Sequence, residues 1–343
     1  MAFGAIRTAR LLLRPVRLTD APALAERRSD PEVAALQSWT TPYPLERAQQ
    51  LIADVVTSDR PRSGEWWMLT ITDLEDTVVH GDLAIHPTWD GRAIEIGYTL
   101  SRPVWGNGYA HEAVEALVER LFDDERLTRV HAMAHPDNIA SAQVLERNGF
   151  LYEGRTRLSY WVGDENTDDV LYGLTRADWG DWRSRPRTPP ADVRLVEITH
   201  DMLGTVRDLT THKSQERFVA PVGKWFANAL YPPVWDGTPL VPWLRAIEAD
   251  GEVTGLVLLA RSTPVHPEPY LWRLLVDRRH QRRGIGRRAI DIVVTEARAS
   301  GAASLAVSWL PGRGSPEALY LRCGFVPTGD GDAGDVEARL RLD

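Results

Sequence analysis

Two stretches of the chain decide its fold: LLVDRRHQRRGIGRRAIDIV, from Leu274 to Val293, and YTLSRPVWGNGYAHEAVEAL, from Tyr98 to Leu117. In each, an apolar strand breaks into a short glycine loop and reopens as a helix with apolar residues at helical spacing. Placing Trp105 over Gln281 puts Gly108 on Gly284 and Ala110 on Gly286, 176 residues apart. Upstream, AIEIGYTL (93–100) falls over PYLWRLLV (269–276). Downstream, TRVHAMAHP ends at Pro136 and ASLAVSWLP at Pro311, and the short helices that follow close on NGF (Asn148 to Phe150) and CGF (Cys323 to Phe325), 175 apart. Landmarks that stay in register over this length predict two copies of one folding unit.

Length agrees with that reading, since 343 residues suit two domains of about 170 residues each. The proline- and charge-rich RSRPRTPPAD (183–192) reads as the linker, leaving domains at 1–182 and 193–343. Each half opens on a strand-like run, LLLRPVRL (11–18) and VRLVEI (193–198), followed by helical periodicity. Two further extended segments then lead to each glycine strand: WWMLTI with VVHGDLAIHP, and LRAIEA with VTGLVLLAR. The predicted order is β, helices, β-β-β, glycine loop, helix, β, helix, β. That pattern predicts an α+β fold in which each domain is a mixed, mostly antiparallel sheet flanked by helices.

Composition narrows the function classes. Apolar residues at 43% and charged residues at 26% describe an ordinary globular chain rather than a disordered one. A net charge of −8 speaks against a nucleic-acid partner, although RRHQRRGIGRR (278–288) is a local basic exception suited to a small anion. The single cysteine, Cys323, excludes an internal disulfide framework, and no Cys/His spacing suggests zinc. With no signal-peptide core and no apolar run of spanning length, the expectation is a cytoplasmic protein without a membrane partner, monomeric or a homodimer.

A glycine loop that opens a helix has a physical use. The first amides of a helix have no intrahelical partner and sit at the positive end of its dipole, and glycine removes the Cβ atoms that would hold a phosphate away. Gln281, Arg282, Arg283, Gly284, Ile285, Gly286 and Arg287 therefore offer backbone donors and guanidiniums to a pyrophosphate. Trp105, Gly106, Asn107, Gly108, Tyr109 and Ala110 offer the same backbone with fewer charges, which predicts weaker binding. The dinucleotide and Walker patterns are both absent.

The Q-R-R-G-I-G run resembles the [QR]-x-x-G-x-[GA] signature of the GCN5-related N-acetyltransferases, and Y-L-R-C-G-F (320–325) is similar to that family's closing motif. Through EIGYTL, WGNGYAHEA and NIASAQVLERNGF (138–150) the N-terminal half resembles the RimJ/RimL-type branch. Through LWRLLVDRRHQRRGIG and ERFVAP (216–221) the C-terminal half resembles bacterial polyamine-type acetyltransferases. The resemblance implies acetyl-CoA as cofactor, held by the two loops, and transfer of its acetyl group to a primary amine.

Aminolysis of a thioester needs a base for the amine proton and a donor for the departing sulfur. By resemblance Tyr320 is the donor in the C-terminal half. Its base stays open between Glu268, Asp277, a water chain and a carboxylate of the substrate. In the N-terminal half Glu95 stands ten residues before Trp105, where the family base lies, with a polar residue on an open strand face as the alternative. The resemblance places the N-terminal donor at Ser141 and a pantetheine contact at Asn138, and both residues could equally cap the following helix. None of the nine histidines receives a role, and the thirteen tryptophans divide between core and amine pocket.

The expected activity is acetyl transfer to a small-molecule amine: a natural product, an antibiotic or a polyamine-like compound. Three alternatives stand beside it: a non-catalytic N-terminal half that binds CoA or supports the other, a protein α-amine as acceptor, and aminoacyl transfer from charged tRNA.

Overall fold

The computed structural model describes residues 3–331 and 334–342. The chain divides into two compact units, with the boundary between Ser184 and Arg185.

In the first unit the strands are β1 (Ile6–Arg7), β2 (Leu12–Pro15), β3 (Trp67–Thr72), β4 (Val79–Thr88), β5 (Ala93–Leu100), β6 (Arg129–Ala134), β7 (Leu151–Val162) and β8 (Glu165–Thr175). The helices are α1 (Ala21–Ser29), α2 (Pro31–Ala34), α3 (Leu45–Val55), α4 (Tyr109–Phe122), α5 (Ile139–Arg147) and α6 (Arg176–Ser184). The sheet runs β1-β2-β3-β4-β5-β6-β8-β7, and only the β5/β6 pair is parallel.

In the second unit the strands are β9 (Val193–Val196), β10 (Val234–Trp235), β11 (Thr238–Pro239), β12 (Pro242–Ala249), β13 (Glu252–Ala260), β14 (Tyr270–Val276), β15 (Ser304–Trp309), β16 (Val326–Asp330) and β17 (Val336–Arg341). The helices are α7 (Leu203–Asp208), α8 (Val222–Leu230), α9 (Ile285–Ala299) and α10 (Glu317–Arg322). The main sheet runs β16-β17-β15-β14-β13-β12-β9, again with one parallel pair, β14/β15. The α+β expectation of two mixed, mostly antiparallel sheets flanked by helices holds.

The helices form because their apolar residues recur on one face. On α9, Ile285, Ala289, Ile290, Val293, Val294 and Ala297 are buried at helical spacing. Burying each of these isoleucines and valines contributes about 1.5–3 kcal/mol, so a charge at the fully buried Val293 would strip the helix from its sheet. The repeated landmarks also acquire a reason: Phe150 and Phe325, at 1% and 2% exposure, plug the core just beyond α5 and α10. Leu145, which stands where the other unit has Tyr320, is likewise fully buried.

RSRPRTPPAD is less of a free tether than its composition predicts. Its first two residues, Arg183 and Ser184, end α6. Farther on, Arg283 Nε donates to the Thr188 carbonyl (2.8 Å) and Arg288 Nη1 to the Pro190 carbonyl (2.7 Å), fastening this segment to the second unit. Among the described residues no helix is long and apolar enough to cross a membrane.

Candidate active site

Each unit has the same local construction. In the first, the parallel strands β5 and β6 are in register at Ala93/Arg129, Ile94/Val130 and Glu95/His131, and then part. From Ile96 to Leu100 the β5 backbone has no ladder on that side. In the second unit β14 and β15 are in register only at Tyr270/Ala306 and Leu271/Val307 before they part. Each opening strand runs into its glycine loop and then into α4 or α9.

The caps of those helices are Gly108 and Gly284, at φ +80 and +81, left-handed values that favour glycine. Neither cap has a side chain to occupy the free first-turn amides, which are left for an outside acceptor. At Gly286 a Cβ would make ordinary van der Waals contact, 3.5 Å from Leu319 and 3.7 Å from Val276, so alanine fits there as it does at Ala110 of the first loop.

Trp105 and Gln281 do the same job in the two loops. The indole Nε1 of Trp105 donates to the Leu100 carbonyl (2.9 Å), and Gln281 Nε2 donates to the Val276 carbonyl (3.1 Å), each the last residue of its strand. Gln281 also exchanges hydrogen bonds with Gln215, at 2.8 and 3.2 Å. Asn107 Nδ2 donates to the Val104 carbonyl (3.2 Å).

The arginines around the second loop divide. Arg282, held at φ +64, and Arg287 are exposed, whereas Arg283 is buried and holds Thr188 and the His280 ring (Nη1 to Nδ1, 3.0 Å). Arg283 thus turns its guanidinium inward. The first loop is less poor in cations than its sequence indicates. Arg10, about a hundred residues upstream, donates to the Asn107 carbonyl (2.9 Å) and stacks over the Tyr109 ring (4.7 Å). It also pairs with Glu112 in the first turn of α4 (2.6 Å). Burial would push Glu112 up, but hydrogen bonds from Thr8 and Arg10 more than offset it and hold the carboxyl below its ordinary range.

Glu95 lies in a row of three polar side chains across the sheet, His86 on β4, Glu95 on β5 and His131 on β6, paired in register and hence on one face. His86 Nδ1 is 3.8 Å from Glu95 Oε2, and Trp66 stacks on the His86 ring at 4.8 Å. Burial raises the Glu95 pKa, His86 opposes the rise and Asp169 adds to it. Burial, helped by Arg129, lowers that of His131. The result is a half-buried carboxyl poised nearer neutrality than a solvated one, the condition a base needs.

Ser141 stands at the start of α5. Asn138 caps that helix, its side chain accepting from the Ser141 amide (3.0 Å). The Ser141 hydroxyl is 2.8 Å from the hydroxyl of Tyr98 on β5, which also donates to the Ser141 carbonyl (3.0 Å). Tyr98 was inside the quoted EIGYTL run, but nothing in that run indicates a partner 43 residues away.

In the second unit Tyr320 on α10 is buried between Trp309, stacked at 5.6 Å, and Phe325, edge-on at 5.7 Å. Burial, then Tyr270 and Cys323, push its phenol well above the ordinary value, so it remains a proton donor. The two carboxylates that are candidates for the base of this half are engaged. Glu268 pairs with Arg339 (3.0 Å), and Asp277 accepts from the Thr210 and Arg279 amides (3.0 and 2.9 Å). Among the described residues no group of three or more His, Cys, Asp or Glu could hold a metal ion.

Comparison with known proteins agrees with the geometry. The acetyltransferase (GNAT) domain model matches residues 10–151, and the acetyltransferase (GNAT) family model matches residues 210–325. The Uncharacterized N-acetyltransferase p20 of Bacillus licheniformis is 31% identical over 172 residues, 50% of this chain and 96% of that protein. The Uncharacterized N-acetyltransferase YoaA of Bacillus subtilis is 27% identical over 175 residues, 51% of this chain and 98% of that protein. The ribosomal-protein-serine acetyltransferase of Escherichia coli is 33% identical over 81 residues, 24% of this chain and 45% of that protein. The N-terminal half thus resembles RimJ/RimL-type enzymes; the polyamine-type likeness of the C-terminal half is not among these matches.

Proposed function

This chain belongs to the GNAT acetyltransferase family as a tandem N-acetyltransferase, and on that premise we propose that both halves take acetyl-CoA and acetylate a primary amine of a small molecule. The observation that carries this reading is the recurrence, in both units, of a parallel strand pair that parts and leads into a helix capped by a bare glycine.

Acetyl-CoA supplies an acyl group activated as a thioester. The amides at the starts of α4 and α9 would hold its pyrophosphate, with Arg282 and Arg287 adding charge in the second unit. The unpaired backbone of β5 and β14 would donate to the acyl oxygen, where negative charge grows as the amine adds. In the N-terminal half Glu95 would accept the proton leaving the acceptor nitrogen, and Ser141, backed by Tyr98, would supply one to the sulfur. In the C-terminal half Tyr320 would protonate the sulfur. With Glu268 and Asp277 both engaged, a water would take the amine proton there.

The E. coli relative, a ribosomal-protein-serine acetyltransferase by name, favours a second reading for the N-terminal half, acetylation of a protein α-amine. Thiol release from acetyl-CoA, with mass spectrometry of the products, over a panel of small primary amines and peptides with free N-termini tests both. Turnover of small amines supports the first reading; turnover confined to peptides supports the second; none with either class contradicts both.

A further inference from the structure

The second unit holds a cation that its described residues leave without a counter-ion. Arg273 lies on β14, two residues beyond Leu271, the last position at which β14 pairs with β15. It is in register with Leu258 of β13, whose side chain packs with Trp225 and Leu275 on the face that carries α7 and α8. The Arg273 guanidinium lies over two indole rings, Trp272 at 5.4 Å and Trp225 at 5.9 Å. Trp225 is fully buried and its Nε1 is taken by the Ala220 carbonyl (2.8 Å), so it offers only its face.

Nη1 of Arg273 is buried with no hydrogen-bond partner, and no carboxylate pairs with the guanidinium among the described residues. Arg273 is half-buried, and Arg28 and Arg27 also keep buried nitrogens without a partner, but the buried arginines among the described residues all have a charged or polar side chain or a carbonyl to hold them. Arg14 pairs with Asp20 and Asp76, Arg27 with Asp82, and Arg283 bonds to Thr188 and His280. Burial lowers the Arg273 pKa, and only Tyr270 opposes it. Ring faces attract a cation, but they supply no lone pair to a buried N–H.

We propose that Arg273 is an acceptor-recognition residue, and that the amine acetylated by the C-terminal half carries a carboxylate which the guanidinium binds. The inference rests on the reading that this half acetylates a small amine. Position supports it: Arg273 is on the stretch of β14 that has parted from β15. The planar fork of donors matches a carboxylate, and the indole faces keep it in place. An uncompensated guanidinium there also repels a polycationic acceptor, which argues against the polyamine-like class.

The test is calorimetric titration of the full chain with N-acetyl-L-leucine and with N-acetyl-L-leucinamide, which differ only in the carboxylate. The wild-type protein should bind the acid at least tenfold more tightly than the amide. Arg273→Met, which keeps an apolar stem, should abolish the difference, and Arg273→Lys should retain part of it, while acetyl-CoA stoichiometry and the unfolding temperature stay unchanged in both. Equal affinities, a preference that survives Arg273→Met, inorganic phosphate binding as tightly as the acid, or no saturable binding of the acid would overturn the proposal. A preference lost in Arg273→Met, in a protein that acetylates no amine, would support the carboxylate site and contradict the acetyl-transfer reading instead.

Discussion

The indole N–H of Trp105 donates to the carbonyl of Leu100 at 2.9 Å, closing the first glycine loop onto the end of its strand. As sequence, tryptophan is a departure from the polar residue of the second loop. As structure it supplies the same donor to the same place. Trp105→Gln should therefore leave acetyl-CoA affinity of the N-terminal half within about twofold. Trp105→Phe, which removes only the donor, should cost about 1 kcal/mol, near fivefold in Kd. Titration calorimetry in a Gly284→Asp background reads this half alone.

The Tyr98–Ser141 contact ties β5 to α5 across the place where β5 and β6 have parted. Ser141→Ala should lower kcat of the N-terminal half by about a hundredfold, in line with the loss of a proton donor. Tyr98→Phe should lower it about tenfold while reducing stability by about 1 kcal/mol. A purely structural contact would move stability and leave kcat near the wild-type value, so measuring both separates the roles.

For Glu95 the expected signature is in the pH profile. The group must be ionised to accept a proton, so kcat/KM rises with pH through its folded pKa, and burial places that limb above the ordinary glutamate value of 4.5. His86 lowers the Glu95 pKa, so His86→Ala should shift the limb to higher pH. Glu95→Gln should remove the limb and lower kcat/KM by about a hundredfold. Rate profiles with a neutral-range acceptor amine check all three.

Much of this was legible in the sequence. Extended apolar runs located β3, β4, β12 and β13 to within a few residues, and the in-register landmarks foretold two units, because strands, glycine caps and the plugging Phe150 and Phe325 are local features. Contacts that join distant segments were not legible. Arg10 reaches Asn107, His86 meets Glu95 only through strand register, and Arg273 is conspicuous only once the described carboxylates are placed. The inward turn of Arg283 was hidden for the same reason, since an arginine in a basic run looks solvated until its partner, Thr188, is seen.

Stability of the first unit depends on a buried ion pair. Arg14 holds Asp20 with two hydrogen bonds of 2.8 Å, and Thr70 and the Arg17 amide add two more at 2.8 Å. Burial would raise the Asp20 pKa, but these bonds dominate and lower it. Its contribution is thus present above the unfolded value and is lost as pH falls through the depressed folded one. Asp20→Asn leaves Arg14 partly uncompensated and should cost about 3 kcal/mol, read in urea as a shift of the first unit's transition with the second unchanged.

The central claim is two acetyl-CoA sites, one in each half, and calorimetric titration of acetyl-CoA tests it most directly. The intact protein, Gly108→Asp, Gly284→Asp and the double variant are compared, with folding checked by circular dichroism. An added Cβ meets nothing within 4 Å at Gly284 and only Arg10, at 3.6 Å, at Gly108, while the left-handed φ of +81 and +80 strains any other residue there, so the substitutions disturb the loops rather than the cores. The account predicts two sites per chain, one in each single variant and none in the double. One site in the intact protein, or two that survive both substitutions, would contradict it.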